Sequence, residues 1–212
     1  MEFKKFNNTD SNIVLVQLVD SFELNSISKE IEYIKEQTSI DFCFLVIKVN
    51  NWNDDLSPWK MDAVIGKESF GGLSDKTLKE VLNICNENKT YILGGYSLSA
   101  LFALWASYNT DRFIAIASSS PSLWFKDFTK YMKENHSYAK YIYLSLGDKE
   151  DKTRNEILSS ISKKIKEAYE CLKPNHQTIL EFNSGNHFQN VEERVAKGFI
   201  WAINKVQKSR IL

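Results

Sequence analysis

Six short runs along the chain are apolar almost throughout: Ile13–Val19, Phe42–Val49, Thr90–Leu93, Phe113–Ser118, Tyr141–Leu146 and Thr178–Phe182. Several are rich in Ile, Val, Phe and Tyr, with little polar alternation. Strands read this way when a parallel sheet is covered on both faces. Between the runs, apolar positions recur at helical spacing. Ile27, Ile31 and Ile34 repeat at +4 and +3, and Leu78, Leu82 and Cys85 do the same after a candidate N-cap at Ser74/Asp75. Ile157, Ile161, Ile165 and Tyr169 make a long stripe on a helix whose other face carries Lys163, Lys164, Lys166 and Glu167. Val195, Phe199 and Ala202 mark a C-terminal helix. Strand and helix alternate from end to end. The pattern therefore predicts right-handed β-α-β units: an α/β fold with a mostly parallel sheet of about six strands and helices on both faces. No repeat, low-complexity tract or linker breaks the pattern, so residues 1–212 read as a single domain. The longest stretch without clear periodicity, Asn50 to Gly72, is longer than an ordinary connection and so is functional or partly structured.

Composition narrows the function classes. A chain of 212 residues, 43% hydrophobic and 25% charged, suits one sizeable core of ordinary globular type. Lys+Arg and Asp+Glu both number 27, and this balance argues against a broad footprint for nucleic acid or acidic membrane. The opening "MEFKKFNNTD" has no apolar core of a signal peptide, and no apolar run approaches the roughly 18 residues of a membrane helix. Cys43, Cys85 and Cys171 are scattered, odd in number and without metal-like spacing. They read as reduced structural residues, which leads to an expected cytoplasmic location; separately, no metal or organic cofactor is expected.

Candidate chemistry begins at "TYILGGYSLSALFALWAS", Thr90 to Ser107, a strand that passes through two glycines and a serine into an apolar helix. A serine on a sharp strand–turn–helix bend is a nucleophile elbow, in which the turn exposes Oγ and the first amide of the helix points at the oxyanion position. Backbones approach closely there, so Gly94, Gly95, Ser99 and Ala100 supply the small residues the bend needs. Ser99 stands where a glycine is usual. Ser97 needs a base. His136 and His176 each precede a strand and belong at the wrong end of the sheet, whereas His187, in "EFNSGNHF", follows the last strand. Sites in open α/β sheets form at the carboxyl ends of strands, which favours His187. An orienting carboxylate comes from "GDKED" after Tyr141–Leu146, where Asp148, Glu150 and Asp151 all qualify; the plain alternative is a charged helix start. The order serine, acid, histidine, each after a successive strand, is that of the α/β-hydrolase fold.

With these pieces in place, the sequence resembles the esterase branch of the α/β-hydrolases, the group of esterase D-type and ferric-enterobactin esterase-type enzymes. The resemblance rests on "GGYSLSALFALWA", "SSSPSLWF" (Ser118–Phe125), "YLSLGDKED" and "GNHF", in the family's order and spanning most of the chain from Ile13 onward. It implies Ser97 as nucleophile and His187 as general base. It implies Glu150, three places after the loop glycine, as the acid, ahead of Asp148 and then Asp151. It also places the oxyanion loop after Ile13–Val19, in "DSFELN", with donor amides at Leu98 and at Phe22 or Ser21; the glycine common in that loop is here absent. Larger members carry further strands before this point and often a lid, so a trimmed, lidless and rather open site is expected.

Aromatic residues follow the same strand ends. Trp52, Trp59, Trp124 and Tyr96 can wall an apolar acyl pocket, with Trp59 and Trp124 the pair expected to touch substrate, or the tryptophans simply anchor a long loop. The expectation is a serine hydrolase acting on a small-molecule ester. An acyltransferase would use the same residues with another acceptor, and a non-catalytic binding protein could retain the fold. A chain that had lost catalysis would be free to lose Ser97 or His187, yet it keeps both. Neither a dinucleotide-binding glycine motif nor a P-loop follows any predicted strand.

Overall fold

The computed structural model describes residues 1–64 and 66–211. The chain opens with β1 (Glu2–Asn7), β2 (Ile13–Val19), α1 (Ile27–Gln37) and β3 (Cys43–Lys48). There follow α2 (Trp52–Asp55), β4 (Lys60–Met61), β5 (Phe70–Gly71), α3 (Ser74–Ile84), β6 (Thr90–Tyr96) and α4 (Ser97–Ala106). The remainder is β7 (Phe113–Ser119), α5 (Phe128–Glu134), β8 (Tyr141–Gly147), α6 (Glu156–Ser159), α7 (Ile161–Leu172), β9 (Gln177–Asn183) and α8 (Val191–Ile211).

Among the described residues, seven strands form one sheet in the order β1-β3-β2-β6-β7-β8-β9. The six apolar runs are its parallel strands. The seventh, β1, lies antiparallel on β3 with Phe6 opposite Phe44, and it enlarges the expected sheet by one edge strand. Its sequence, EFKKFN, is largely exposed, and charged side chains along an open edge discourage pairing with another chain.

Helices α1 and α8 cover one face, where Ile27, Ile34, Val195, Phe199 and Ala202 are buried together and the rings of Phe44 and Phe199 meet at 5.3 Å. On the other face lie α3, α4, α5 and α7. Helix α4 is buried continuously from Leu98 to Ala106, as its all-round apolar sequence requires.

Two local expectations change. The stripe from Ile157 to Tyr169 is not one helix: Asn155 caps α6 through its side chain, the chain turns at Ser160, and α7 starts afresh. Ile157 is 48% exposed, while Ile161, Ile165, Ala168 and Leu172 carry the core contacts. Helix α3 has no side-chain cap from Ser74 or Asp75; Ser74 is already inside the helix, and its amide donates to the Ser57 carbonyl at 3.2 Å. The unpatterned stretch from Asn50 to Gly72 contains α2 and the β4–β5 hairpin. Asp55 Oδ2 ties its start by accepting the amides of Asn50 and Asn51 at 2.8 and 3.0 Å.

This topology positions the site. From β2 the chain moves outward to β3, then returns past β2 to β6, so the order reverses between β2 and β6. Such a reversal opens a crevice at the carboxyl ends of the two strands. Gln17 on β2 is level with Gly94 on β6, so the loop after β2 and the turn after β6 share that crevice. Among the described residues, no helix is long and apolar enough to cross a membrane.

Candidate active site

Strand β6 ends at Tyr96 and α4 starts at Ser97, with no residue between them. Ser97 has a φ of 56°, a left-handed conformation that costs a non-glycine residue on the order of 1–3 kcal/mol. The small residues around it are needed for contact. A Cβ on Gly95 would run into Ser99 Oγ, and one on Gly94 would stand 2.7 Å from Phe199 Cζ on α8.

The bend directs Ser97 Oγ to His187 Nε2 at 3.1 Å, and His187 Nδ1 meets Glu150 Oε2 at 2.7 Å. A carboxylate only accepts, so Nδ1 holds the imidazole proton and Nε2 is free to accept from the serine hydroxyl. Ser97 Oγ also stands 3.3 Å from Ser122 Oγ. His187 is held from behind, where Tyr96 donates its hydroxyl to the His187 carbonyl at 2.8 Å and its ring centre lies 5.0 Å from the imidazole.

Glu150 is fixed by its own loop. Its Oε1 accepts the Gly147 amide and the Ser120 hydroxyl, each at 2.7 Å, and bonds to the guanidinium of Arg194. Burial alone would push this carboxyl up. The bond and charge of His187, with Arg194 and Ser120, outweigh burial and bring it down to about 2, so Glu150 is ionised at neutral pH. Burial first, and then the charge of Glu150, push the Tyr96 phenol far above its usual value, and it stays neutral.

The other two acid candidates have different partners. Asp148 Oδ1 accepts the Gly185 amide at 2.8 Å, which ties the acid loop to the histidine loop. Asp151 pairs with Lys152 at 3.5 Å. His176 bonds the Ala139 carbonyl through Nδ1 at 2.9 Å, with the His136 ring 5.5 Å away, at the amino ends of β8 and β9.

Of the expected oxyanion donors, Leu98 lies in the first turn of α4, where helix amides have no intrahelical partner. The Phe22 amide donates to Asp20 Oδ1 at 2.8 Å, and its ring is 83% exposed. The Ser21 amide, by contrast, donates to no group among the described residues. Ser99 donates to the Leu18 carbonyl at 2.8 Å and so holds this loop's strand against the elbow.

A cavity of about 280 Å³ opens beside Ser97 and His187. Pro121, Trp124, Leu158, Ile161 and Phe188 give it apolar walls, and Lys149 and Lys152 stand with Thr153 among its lining residues. Trp124 is among the residues that line this cavity. Trp59 and Trp52 lie outside the lining. The Trp59 ring packs among Phe125, Phe128 and Tyr131 at 5.7–6.1 Å, and its Nε1 donates to the Lys126 carbonyl at 3.1 Å. Trp52 packs against the core, and Tyr96 lies beneath His187 rather than in the cavity. Sequence reading missed Ser120, Ser122 and Arg194. For Arg194 a signal was present, because an arginine four residues before Gly198 and eight before Ala202 falls on the buried stripe of a helix and requires a buried anion. Among the described residues no cluster of three or more His, Cys, Asp or Glu is placed to hold a metal ion.

No protein-family model matches the sequence, and no curated protein matches it. Solved structures do match. The IroE-like serine hydrolase from Shewanella oneidensis superposes with a TM-score of 0.75 at 12% identity, over 95% of this chain and 75% of that one. The siderophore hydrolase EstA from Aspergillus nidulans gives 0.65 at 16% identity, over 92% and 82%. The enterobactin esterase FES from Shigella flexneri gives 0.63 at 16% identity, over 96% of this chain but only 55% of the Shigella enzyme. The chain therefore has the α/β-hydrolase fold of the siderophore and enterobactin esterases, the fold its sequence motifs resemble.

Proposed function

We propose that the chain is a serine hydrolase that cleaves an ester or related acyl bond through a covalent acyl-enzyme. The observation that carries this reading is the unbroken row Ser97 Oγ, His187 Nε2, His187 Nδ1, Glu150 Oε2, with contacts of 3.1 and 2.7 Å at the mouth of an apolar cavity. The names borne by the structural neighbours, siderophore hydrolase, serine hydrolase and enterobactin esterase, support ester cleavage as the reaction class.

In this reading Ser97 Oγ attacks the carbonyl carbon and its proton passes to His187 Nε2. Glu150 holds the imidazole in the accepting tautomer and offsets the imidazolium that forms. The tetrahedral oxyanion accepts from the Leu98 amide and from the Ser21 amide; the Phe22 amide already serves Asp20. Removing one such donor typically lowers turnover on the order of 100- to 1000-fold. Collapse breaks the ester C–O bond, and His187 returns its proton to the leaving alcohol. Water then attacks the acyl-enzyme, with His187 again as base, releasing the acid and restoring Ser97. The His187 side chain is 31% exposed, so water reaches the acyl-enzyme, which favours hydrolysis over transfer to another acceptor. Trp124, Leu158 and Ile161 form an apolar wall suited to the acyl group.

The test is labelling with a fluorophosphonate, read by intact mass, on wild type and on Ser97→Ala and His187→Ala. One adduct on the wild type that is lost in both variants supports the reading. A folded wild-type protein that takes no adduct refutes it and brings the non-catalytic binding protein to the front.

A further inference from the structure

Arg194 takes no part in the steps above, yet its side chain is one of the largest that the fold buries completely, at 1% exposure. A buried guanidinium is costly unless its charge and its donors are met. Here the active site meets the charge and takes three bonds from the Nη atoms, while Nε has no hydrogen-bond partner among the described residues. Nη2 donates to Glu150 Oε1 and to Ser120 Oγ, and Nη1 donates to the Asn186 carbonyl at 3.1 Å, next to His187. The guanidinium carbon stands 5.2 Å over the ring of Tyr96, whose hydroxyl reaches the His187 carbonyl. Its own carbonyl accepts the Ser119 hydroxyl at 3.0 Å, which fixes this turn of α8 against β7. The acid loop, the end of β7, the histidine loop and the last residue of β6 thus converge on one cation.

We propose that Arg194 is a positioning residue of the reaction: it holds Glu150 Oε1, together with Ser120 and the Gly147 amide, so that Oε2 alone faces His187, and it balances the charge of the buried acid. The inference rests on the Ser97–His187–Glu150 reading above. A carboxylate has two equivalent oxygens, and a free one would divide its orientations between the histidine and the donors around it. With Oε1 occupied three times over, that freedom is removed. The planar fork of arginine reaches the acid loop and the histidine loop at once, whereas lysine would supply a charge without the fork. The other titratable or charged groups around the pair are Tyr96 from β6, Asp148 and Lys149 from the acid loop, and Lys152 at the cavity. None of them is bonded to Glu150. Without Arg194, the unbalanced carboxylate would favour a charged imidazole before the reaction begins, and the base would be lost at higher pH.

The experiment compares wild type, Arg194→Met and Arg194→Lys on 4-nitrophenyl butyrate across about pH 5 to 9, with circular dichroism to establish folding and fluorophosphonate labelling of wild type as the control. Arg194→Met should lose about 100-fold in kcat. Its KM should stay within about threefold of wild type, and its acid limb of kcat/KM should lie at higher pH. Arg194→Lys should keep the acid limb and lose only part of kcat. A folded Arg194→Met with wild-type kcat and an unmoved acid limb overturns the proposal. If that variant does not fold, Arg194→Lys decides: wild-type kcat there overturns the two-sided hold. A wild-type protein that neither turns over the ester nor takes the label refutes the hydrolase reading instead, and it does so before any variant is compared.

Discussion

Ser99 donates its hydroxyl to the carbonyl of Leu18 at 2.8 Å, joining the elbow helix to the strand that leads into the Asp20–Ser21 loop. The residue two places after the nucleophile is usually glycine because the bend tolerates little bulk. In this chain the substitute is small, and it also bonds. The bond sets the distance between Ser97 and the loop that carries the Ser21 amide. Ser99→Ala keeps the size and removes the bond. It should cost about 1–3 kcal/mol in urea unfolding, because a buried hydrogen bond is lost. It should also lower kcat with little change in KM, as the loop loosens. Wild-type stability and turnover in this variant would show that the hydroxyl is incidental.

Glu150 and Asp148 lie two positions apart and hold different partners, which separates their roles experimentally. Glu150→Gln keeps the shape but replaces an acceptor-only group facing His187 Nδ1 with an amide, so the accepting tautomer at Nε2 is no longer enforced. Turnover should fall by about 10⁴-fold, the scale seen when a triad acid becomes an amide. Asp148→Asn can still accept the Gly185 amide and should stay near wild type. Asp148→Ala frees the turn of the histidine loop and should lie between the two. Initial rates on one short ester and labelling rates with a fluorophosphonate read all three variants. Equal losses in Glu150→Gln and Asp148→Asn would contradict this division.

Stability should depend on pH with opposite signs at two places. Glu150 is lowered to about 2 in the folded chain, so its contribution is present above the ordinary value of 4.5 and is lost as pH falls toward 2. Glu23 is raised to about 8, by burial first and then by the charge of Asp20. Glu30 is pushed well above 4.5 by burial, then by Glu23, with Gln17 opposing the shift and Glu192 adding to it. A raised acid keeps a proton that the unfolded chain has released, so this contribution is complete below 4.5 and declines as pH rises toward 8. Gln17 Oε1 and Glu30 Oε2 are both buried without a hydrogen-bond partner among the described residues. Glu30→Gln imitates the protonated form at every pH. Its urea midpoint should match wild type near about pH 4 and exceed it near about pH 8. An unchanged difference between the two conditions would show that Glu30 does not titrate in this window.

Much of this architecture was legible because covered parallel strands leave continuous apolar runs, and because each residue proposed to react follows such a run directly. Ser97 follows β6, Glu150 follows β8 and His187 follows β9, so chain order alone put them at one end of the sheet. Strand β1 left no such trace, since its lysines and glutamate suit an exposed edge and read as a polar terminus. The break at Ser160 was hidden because Ile157 continues the helical spacing although it points to solvent. The cavity wall was illegible for a different reason. Leu158 and Ile161 lie in the crossover after β8, and only the path of that crossover brings them to Ser97. Trp52 and Trp59 show the converse, since a place after the right strand does not decide whether a ring faces the site or the core.

That distinction between the tryptophans gives a last test. Trp124 lines the cavity, whereas Trp59 packs its ring among Phe125, Phe128 and Tyr131 and bonds the Lys126 carbonyl. Trp124→Ala enlarges the apolar side of the cavity, the side proposed to take the acyl group. It should raise KM for short esters and shift preference toward longer acyl chains, with each methylene that gains burial contributing about 0.8 kcal/mol. Trp59→Ala opens a hole in the aromatic cluster and should cost on the order of 3 kcal/mol in unfolding, while the ratio of kcat/KM between short and long esters stays the same. A series of 4-nitrophenyl esters of increasing acyl length, run on both variants beside urea melts, separates the two effects. If Trp59→Ala changes the chain-length preference while Trp124→Ala does not, Trp124 is not a wall of the acyl site and the assignment fails.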